Sequence, residues 1–274
     1  MIEVRAPAKN NLYLAVGERR PDGFHELETV YAALDLADTL RLEIADATSV
    51  DAPAVSGGDT LVTQALEALA SAAGVATGFR VEIEKRVPQG AGLGGGSSDA
   101  GVALRVANRL LPQALPEHEI LGIAASIGSD VPFFAAGHAV AIGRGRGEIL
   151  EACELTTNPW TVIAWPGQPV STADVYASYR PVARLGRLSG VSFDPVALVR
   201  NDLGAIAEQL CPATARLRMQ LIARGALAAS VTGSGSAVYG LFAERAEAEV
   251  AAASLDDAAF RVVSQIQSRG TMQA

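Results

Sequence analysis

The sequence contains almost no lysine and very little cysteine. Among its 22 lysines and arginines only Lys9 and Lys85 are lysines, and the two cysteines, Cys153 and Cys211, stand far apart. Isolated cysteines argue against a disulfide framework or a zinc site and favour a reducing, cytoplasmic location. A chain so poor in lysine leaves few lysines as casual surface charges, although Lys9 fits equally well as a solvated residue that ends a strand.

Long apolar runs and a basic patch are also missing. No apolar run approaches the ~20 residues that span a bilayer, and residues 1–5 read directly into a strand instead of a signal peptide. The net charge of −8 argues against a nucleic-acid surface, because counterion release needs a basic footprint. We therefore expect no membrane and no nucleic-acid partner, while the oligomeric state stays open. Phosphate ligands remain compatible with an acidic chain, since backbone N–H groups can hold them.

Strand-like and helix-like segments alternate along the chain, which indicates an α/β or α+β protein. The expected strands are 5–16, 26–34, 39–44, 80–85, 160–165, 227–231, 238–242 and 260–263. The expected helices start near 61, after the glycine cluster at 90–96, at 117, near 217 and at 246, and a Pro/Gly/Ser-rich loop covers 51–58. A change in composition at 153–159 predicts a boundary between domains 1–155 and 156–274.

A glycine cluster between a predicted strand and a predicted helix is the most informative feature. Residues 88–99 read PQGAGLGGGSSD, with five glycines in the seven residues from 90 to 96. Without Cβ atoms the backbone can approach a phosphate and aim N–H groups at it, and the start of the following helix adds more. Ser97, Ser98 or Asp99 are candidates to cap that helix, and the two serines could donate to phosphate or help to hold a metal.

Three other interpretations of this cluster are less consistent with the sequence. The Walker A pattern G-x-x-x-x-G-K-[ST] is absent. Gly90, Gly92 and Gly95 match G-x-G-x-x-G, but the preceding strand is amphipathic, whereas a dinucleotide fold needs a continuous apolar strand there. A flexible linker does not usually join a well-patterned strand directly to a well-patterned helix. Phosphate binding is the favoured interpretation.

Three segments of the chain resemble the three motifs of the GHMP kinases, a family that includes homoserine, mevalonate and galactose kinases. They are APAKNNL at 6–12, PQGAGLGGGSS at 88–98 and VTGSG at 231–235. The resemblance implies an α+β, two-domain GHMP kinase fold, with an N-terminal domain like ribosomal protein S5 domain 2 and a smaller ferredoxin-like C-terminal domain. It also implies ATP with Mg²⁺ as the phosphoryl donor.

Further segments resemble the members of this family that act on a cytidine diphosphate ester. They are RRPDGFHEL at 19–27, GSDVPFF at 128–134, and the pairs at 166–167, 171–172 and 201–202. The resemblance implies phosphorylation of the C2 hydroxyl of a diphosphocytidyl-linked methylerythritol, in the non-mevalonate route to isoprenoid precursors. Two residues depart from the pattern: Asn10 stands where an apolar residue is usual, and Phe24 where tyrosine is common.

The resemblance also implies roles for individual residues. Asp130 would orient and deprotonate the acceptor hydroxyl, and Lys9 would lie against it and neutralise charge during transfer. The residues implied for ATP are Pro88, Gly90, Gly92, Leu93, Gly94, Gly95, Gly96, Ser97 and Ser98. The residues implied for the substrate are Asn11, Phe24, His25, Thr172, Tyr176, Thr232, Gly233, Ser234 and Gly235. The pattern assigns no carboxylate ligand to the metal.

Each of these roles has a structural alternative. Asp130 could be a helix cap, the aromatic residues could pack in a core, and residues 232–235 could be a plain β-turn. At the level of function, the alternatives are another GHMP kinase acting on homoserine, mevalonate or a sugar, a decarboxylase of the same superfamily, and a non-catalytic ligand-binding relative.

Overall fold

The structure is a computed structural model that describes residues 1–53, 60–181 and 185–267. Most of the predicted loop at 51–58 lies outside the described residues. The helices are α1 (Thr60–Ala73), α2 (Gly95–Leu110), α3 (Glu117–Ile127), α4 (Val131–Ala136), α5 (Thr172–Ser178), α6 (Gly204–Leu210), α7 (Pro212–Ala223) and α8 (Arg245–Ala253). The strands are β1 (Ile2–Arg19), β2 (His25–Ala45), β3 (Ser49–Asp51), β4 (Gly78–Glu84), β5 (Val140–Gly145), β6 (Ile149–Ala152), β7 (Glu154–Leu155), β8 (Trp160–Trp165), β9 (Ser192–Phe193), β10 (Arg200–Asn201), β11 (Ala228–Val231), β12 (Val238–Phe242) and β13 (Phe260–Gln265).

Two large sheets organise these elements. The first has the order β10-β1-β2-β4-β3, with β5 on β2 and β6 on β5, and the second has the order β11-β12-β8-β13. The short strand β10 runs parallel to β1, with Tyr13 opposite Arg200, so a segment from the second half of the chain completes the first sheet. The boundary near residue 155 stays a prediction.

Helix α2 is the central helix of the first half of the chain and is buried over most of its length. It contacts α1, α4, β1 and β2. Small residues make this close packing possible: a Cβ added to Gly101 would lie 2.7 Å from the carbonyl oxygen of Val131. Because α2 is fixed on all sides, the loop at its N-terminus is held at a defined place beside the sheet.

Most predicted elements are present, and two expectations are wrong. Strands 160–165 and 238–242 are confirmed as β8 and β12. The two strands expected at 26–34 and 39–44 are one strand, β2, because an irregularity of the β1–β2 register takes up the residues between Ala33 and Ala37. Ser97, Ser98 and Asp99 do not cap α2. The helix begins earlier, after Gly94, whose left-handed backbone (φ 72°) forms the N-cap without a side-chain hydrogen bond.

A candidate active site for phosphoryl transfer

A cavity of about 1250 Å³ lies between the glycine loop, β1, β2 and α5. The glycine loop is residues 88–97, and we call residues 232–235, which lie opposite, the second turn. Both border the cavity, the second turn through Gly233 and Ser234. The cavity therefore brings together segments from the start, the middle and the end of the chain.

Lys9 lies in the middle of β1, and its ammonium group lies where the glycine loop meets the second turn. Its Nζ donates hydrogen bonds to the carbonyl oxygen of Gly92 at 2.8 Å and to Oδ1 of Asn11 at 2.6 Å. The residue is 3% exposed. Burial lowers the pKa of Lys9, and attraction to Asp130 opposes that shift. The alternative of a solvated lysine at a strand end is therefore wrong.

Asp130 precedes α4 directly and presents its carboxylate to the cavity. Its Oδ2 lies 3.7 Å from Nζ of Lys9, and its Oδ1 accepts a 3.0 Å hydrogen bond from the hydroxyl of Tyr31. Asp130 does occupy the N-cap position of α4, but its side chain makes no capping hydrogen bond to that helix. An acid held between an ammonium and a phenol, and one-third exposed, is suited to meet a hydroxyl group from a ligand.

The glycine loop passes so close to its neighbours that side chains would not fit. A Cβ on Gly92, whose φ is +84°, would lie 2.5 Å from the carbonyl oxygen of Thr232. The predicted ATP-binding residues that border the cavity are Pro88, Gly90, Gly92, Leu93, Gly94, Gly95, Gly96 and Ser97. Ser98 differs: its side chain is fully buried, and its hydroxyl has no hydrogen-bond partner among the described residues.

A buried group of three charges braces the start of α2 beneath the glycine loop. Nζ of Lys85 lies 2.5 Å from Oδ2 of Asp38 and 2.6 Å from Oδ2 of Asp99. Oδ1 of Asp38 also accepts hydrogen bonds from the backbone N–H groups of Arg86 and Val87, which lead into the loop. Burial lowers the pKa of Lys85, but the two carboxylates outweigh it, and the net shift is upward. Strand β2, the loop and α2 are thus joined at one point.

Aromatic side chains form the far end of the cavity. The ring of His25 lies 5.5 Å from that of Tyr176 and 6.0 Å from that of Tyr179. Nδ1 of His25 lies 2.9 Å from the carbonyl oxygen of Gly17. A carbonyl oxygen only accepts, so Nδ1 carries the proton and Nε2 is left for a ligand. Phe24 is 48% exposed, so the core-packing alternative is wrong for this residue.

The second turn is held by side chains that the sequence motifs contain. Nδ2 of Asn201 donates to the carbonyl oxygens of Val231 and Gly233, both at 2.8 Å. The hydroxyl of Ser234 lies 2.8 Å from that of Thr172, and both residues border the cavity. Thr232 and Gly235 do not border the cavity, and Thr232 is fully buried, with its hydroxyl accepting from the N–H of Asn11. These two predicted substrate residues therefore contribute to the structure of the second turn and do not line the cavity.

The lining of the cavity is richer in cationic than in acidic residues. Its described lining contains one acidic residue, Asp130, and five cationic residues, namely Lys9, Arg19, Lys85, Arg146 and Arg180. The chain as a whole carries a formal charge of −8. Lys9, Lys85 and Arg146 are paired with carboxylates, so Arg19 and Arg180 are the lining cations best able to attract ligands with several negative charges, such as phosphate esters.

Comparison with known proteins identifies the family. Models of the N-terminal and C-terminal domains of GHMP kinases match residues 60–138 and 183–261. The chain belongs to the GHMP kinase family. The predicted α+β, two-domain GHMP kinase fold and the predicted ATP-dependent small-molecule kinase activity are confirmed. A dinucleotide-binding fold is excluded by the same finding.

Curated relatives cover nearly the whole chain. The 4-diphosphocytidyl-2-C-methyl-D-erythritol kinase of Geobacter metallireducens is 36% identical over 264 residues, which cover 93% of this chain and 94% of the relative. The protein of the same name from Gloeobacter violaceus is 39% identical over 272 residues, covering 93% and 90%. A crystal structure of 4-(cytidine 5'-diphospho)-2C-methyl-D-erythritol kinase superposes with a TM-score of 0.81 at 34% identity, covering 96% of this chain and 98% of the other.

A more distant GHMP kinase shares the fold alone. Homoserine kinase from Cytophaga hutchinsonii superposes with a TM-score of 0.70 at 16% identity, covering 98% of this chain and 95% of the other.

No helix within 1–53, 60–181 and 185–267 is long and apolar enough to cross a membrane. The same part of the chain contains no group of three His, Cys, Asp or Glu residues that could hold a metal ion.

Several cavity residues were not predicted from the sequence. Tyr31 is 2% exposed within an apolar strand, so its pattern is that of a core residue. Tyr179 follows α5, a helix too short to give a periodic signal. Arg146 lies in a glycine-rich turn, GRGRGE at 143–148, and an arginine between glycines is the one signal that could have drawn attention to it.

Proposed function

We propose that this protein transfers the γ-phosphoryl group of ATP to the C2 hydroxyl of 4-diphosphocytidyl-2-C-methyl-D-erythritol, in the non-mevalonate route to isoprenoid precursors. One observation carries the proposal. The Lys9–Asp130 pair lies in a single cavity with a phosphate-binding loop on one side and a histidine–aromatic wall on the other. The relatives that bear this activity in their names cover nearly the whole chain.

The reactive pair supplies the chemistry that the acceptor hydroxyl needs. Oδ2 of Asp130 is placed to accept the proton of the hydroxyl as its oxygen attacks the phosphorus. Tyr31 and Lys9 hold this carboxylate from two directions and so fix its orientation. The ammonium of Lys9 also provides positive charge beside the group in transfer, where negative charge spreads over three oxygens.

The glycine loop and the start of α2 form the donor side of the site. The first backbone N–H groups of a helix have no partners within it, and the residues that begin α2, Gly95, Gly96 and Ser97, border the cavity. These groups and the positive end of the helix dipole favour the phosphates of ATP. Close packing against the second turn keeps the loop in one conformation, so the amides are oriented before the nucleotide binds.

Mg²⁺ belongs to the proposal, and the described residues fit it as a nucleotide-bound ion. Mg²⁺ commonly keeps several waters and takes its remaining ligands from substrate phosphates and one or two protein oxygens. Ser97 borders the cavity, and the hydroxyl of the next residue, Ser98, is buried without a partner among the described residues. When bound, the ion would neutralise phosphate charge. Activity lost with a chelator and restored by Mg²⁺ is the expected result.

The aromatic end of the cavity favours a cytidine ester over a smaller alcohol. Nε2 of His25 is available to the polar edge of a base, and Phe24 and Tyr176 offer flat surfaces for stacking. Asn11, Thr172, Gly233 and Ser234 would then contact the part of the substrate between the base and Asp130. Homoserine or mevalonate would leave this wall uncovered.

Cys153 and Cys211 are both unpaired, in keeping with the cytoplasmic location that forms part of the proposal.

ADP release with a panel of acceptors tests the proposal. The purified protein is incubated with Mg-ATP and 4-diphosphocytidyl-2-C-methyl-D-erythritol, homoserine, mevalonate or galactose in parallel. We expect turnover with the cytidine ester alone. Turnover with another acceptor would retain the kinase and reject the substrate, while CO₂ release would indicate the decarboxylase alternative. ATP binding without any turnover would support a non-catalytic relative.

A further inference from the structure

Arg146 is fixed at the point where three parts of the first half of the chain meet. It lies in the turn between β5 and β6, and its Nε lies 3.5 Å from Oε1 of Glu148 in the same turn. Its Nη2 donates to the carbonyl oxygen of Ala125 in α3 at 3.3 Å. The guanidinium therefore has a defined position, although 23% of the side chain remains exposed.

The same guanidinium stacks on Phe24. Its central carbon lies 4.7 Å from the centre of the ring, which is within range of a cation–π contact. The N–H of Phe24 also donates to Oδ1 of Asp22, which fixes the backbone of this turn. A phenylalanine has no hydroxyl with which to anchor its ring, and Arg146 supplies a contact that holds the ring as part of the cavity wall.

The turn of Arg146 also contacts the reactive end of the cavity. A Cβ on Gly147 would lie 2.2 Å from the hydroxyl oxygen of Tyr31, the same hydroxyl that donates to Asp130. Arg146 thus contacts Phe24 at the aromatic end, while the next residue, Gly147, lies against Tyr31 beside Asp130. In the proposed substrate, the diphosphate lies between the base and the alcohol. A base against Phe24 and a hydroxyl at Asp130 would put this diphosphate beside Arg146.

We propose that Arg146 is a specificity-determining residue for the cytidine ester, because its guanidinium holds the Phe24 ring for stacking and attracts the negatively charged diphosphate. This inference rests on the proposed function. Arginine suits both tasks, since its planar guanidinium stacks on an aromatic face while its N–H groups donate to phosphate oxygens. Glu148 contacts the guanidinium, 23% of the Arg146 side chain stays exposed, and Arg146 borders the cavity.

The test compares Arg146→Met, Arg146→Lys and wild type. Methionine keeps an unbranched side chain but removes the positive charge and the planar guanidinium group. Lysine restores the charge but not the planar group. We expect Arg146→Met to raise the KM of the cytidine ester about tenfold, while the KM of ATP and kcat stay within about twofold. Arg146→Lys should recover part of the loss. A purely structural role would instead change both KM values or the melting temperature.

Arg245→Met is the matched control. Arg245 lies 5.3 Å from the ring of Trp160, outside the cavity, so the same substitution removes an arginine–aromatic contact without touching the site. It should leave both KM values unchanged. An unchanged KM for the cytidine ester in Arg146→Met would overturn the inference, and so would equal rises for ester and ATP.

Calorimetric titration with CDP separates this inference from the proposed function. If wild type binds CDP but shows no turnover, the reaction assignment fails, and weaker CDP binding by Arg146→Met still supports the role of Arg146. Equal CDP binding by wild type and Arg146→Met would overturn that role. If wild type does not bind CDP at all, both proposals are rejected.

Discussion

The hydroxyl of Tyr31 donates a 3.0 Å hydrogen bond to Oδ1 of Asp130, which leaves Oδ2 of the carboxylate on the side of Lys9. Tyr31 is buried and its ring stacks on Phe133 in α4, the helix that Asp130 precedes. Burial, together with the charge of Asp130, raises the pKa of Tyr31 well above its usual value. The phenol therefore remains a donor over the working pH range and orients the acid.

Removing this hydroxyl should slow the reaction without weakening ATP binding. A hydrogen bond to a charged group contributes about 1.5–3 kcal/mol, so Tyr31→Phe should lower kcat roughly ten- to hundredfold if the acid must be oriented in the transition state. The KM of ATP should stay within about twofold. Steady-state kinetics of the variant would contradict this role of Tyr31 if kcat were unchanged.

Deprotonation of Lys9 should lower the kcat/KM of the enzyme at a pH below the ordinary lysine pKa of 10.5. Burial lowers its pKa from the ordinary value of 10.5, so the ammonium loses its proton before an exposed lysine would. Since the charged form is the active one, kcat/KM should fall as pH rises through this lowered pKa. The same shift means that burial of the ammonium opposes folding at low pH, and this cost disappears as pH rises from the lowered value toward 10.5.

A pH profile of kcat/KM in wild type and Lys9→Arg measures this effect. Arginine stays charged at all accessible pH values, so whatever activity the variant retains should lack this fall in kcat/KM. A fall at or above pH 10.5 in wild type would show that Lys9 is not the titrating group.

Gly92→Ala should damage the glycine loop. The added Cβ would meet the carbonyl oxygen of Thr232 at 2.5 Å, and the backbone at φ +84° disfavours any residue with a Cβ. We expect a loss of about 2 kcal/mol in the free energy of unfolding and a rise of about tenfold in the KM of ATP. Denaturant melts and ATP kinetics measure the two effects.

Gly122→Ala is the control for this substitution. Gly122 lies within α3, and apart from its chain neighbours and the backbone of its own helix no described atom lies within 4 Å of its Cβ position. Alanine should stabilise this helix by about 0.5–1 kcal/mol and leave the KM of ATP unchanged. Equal behaviour of the two variants would show that the loop does not need a glycine at position 92.

Lys85→Met should destabilise the fold, because it leaves Asp38 and Asp99 buried without the ammonium that lies between them. Removal of one partner from a buried charged group typically costs about 3–5 kcal/mol. Urea denaturation measures the loss. Arg86→Met, at the exposed neighbouring residue, should change stability by less than about 0.5 kcal/mol, and a similar small effect for Lys85→Met would contradict the bracing role.

The sequence predicts the site well where its local composition is unusual, and poorly where the role of a residue depends on the residues it packs against. Five glycines within the seven residues 90–96 have few structural explanations, and this segment does meet the segment of Lys9 in one cavity. The sequence does not reveal the cap of α2, because the helix begins at the backbone of Gly94, while the serines and the aspartate that follow match a capping pattern. Tyr31 was missed because a tyrosine in a buried strand looks the same whether or not its hydroxyl meets a carboxylate.

Long-range pairing explains the other differences. Nothing local to residues 33–37 shows that one strand continues through them; the pairing of β2 with β1 does. Similarly, β10 is only two residues long and exists because it pairs with β1. Arg146 gains its contact with Phe24 only after β5, β6 and the β1–β2 turn have been brought together.

The most direct test of the central claim is the turnover of Asp130→Asn with Mg-ATP and the cytidine ester, measured beside the affinities for ATP and CDP. Asparagine keeps the shape of the side chain but cannot accept the proton of the hydroxyl. We predict a loss of about 10²–10⁴ in kcat, with both affinities within about threefold of wild type. Turnover close to that of wild type would contradict the assignment of Asp130 as the base, and with it the proposed mechanism.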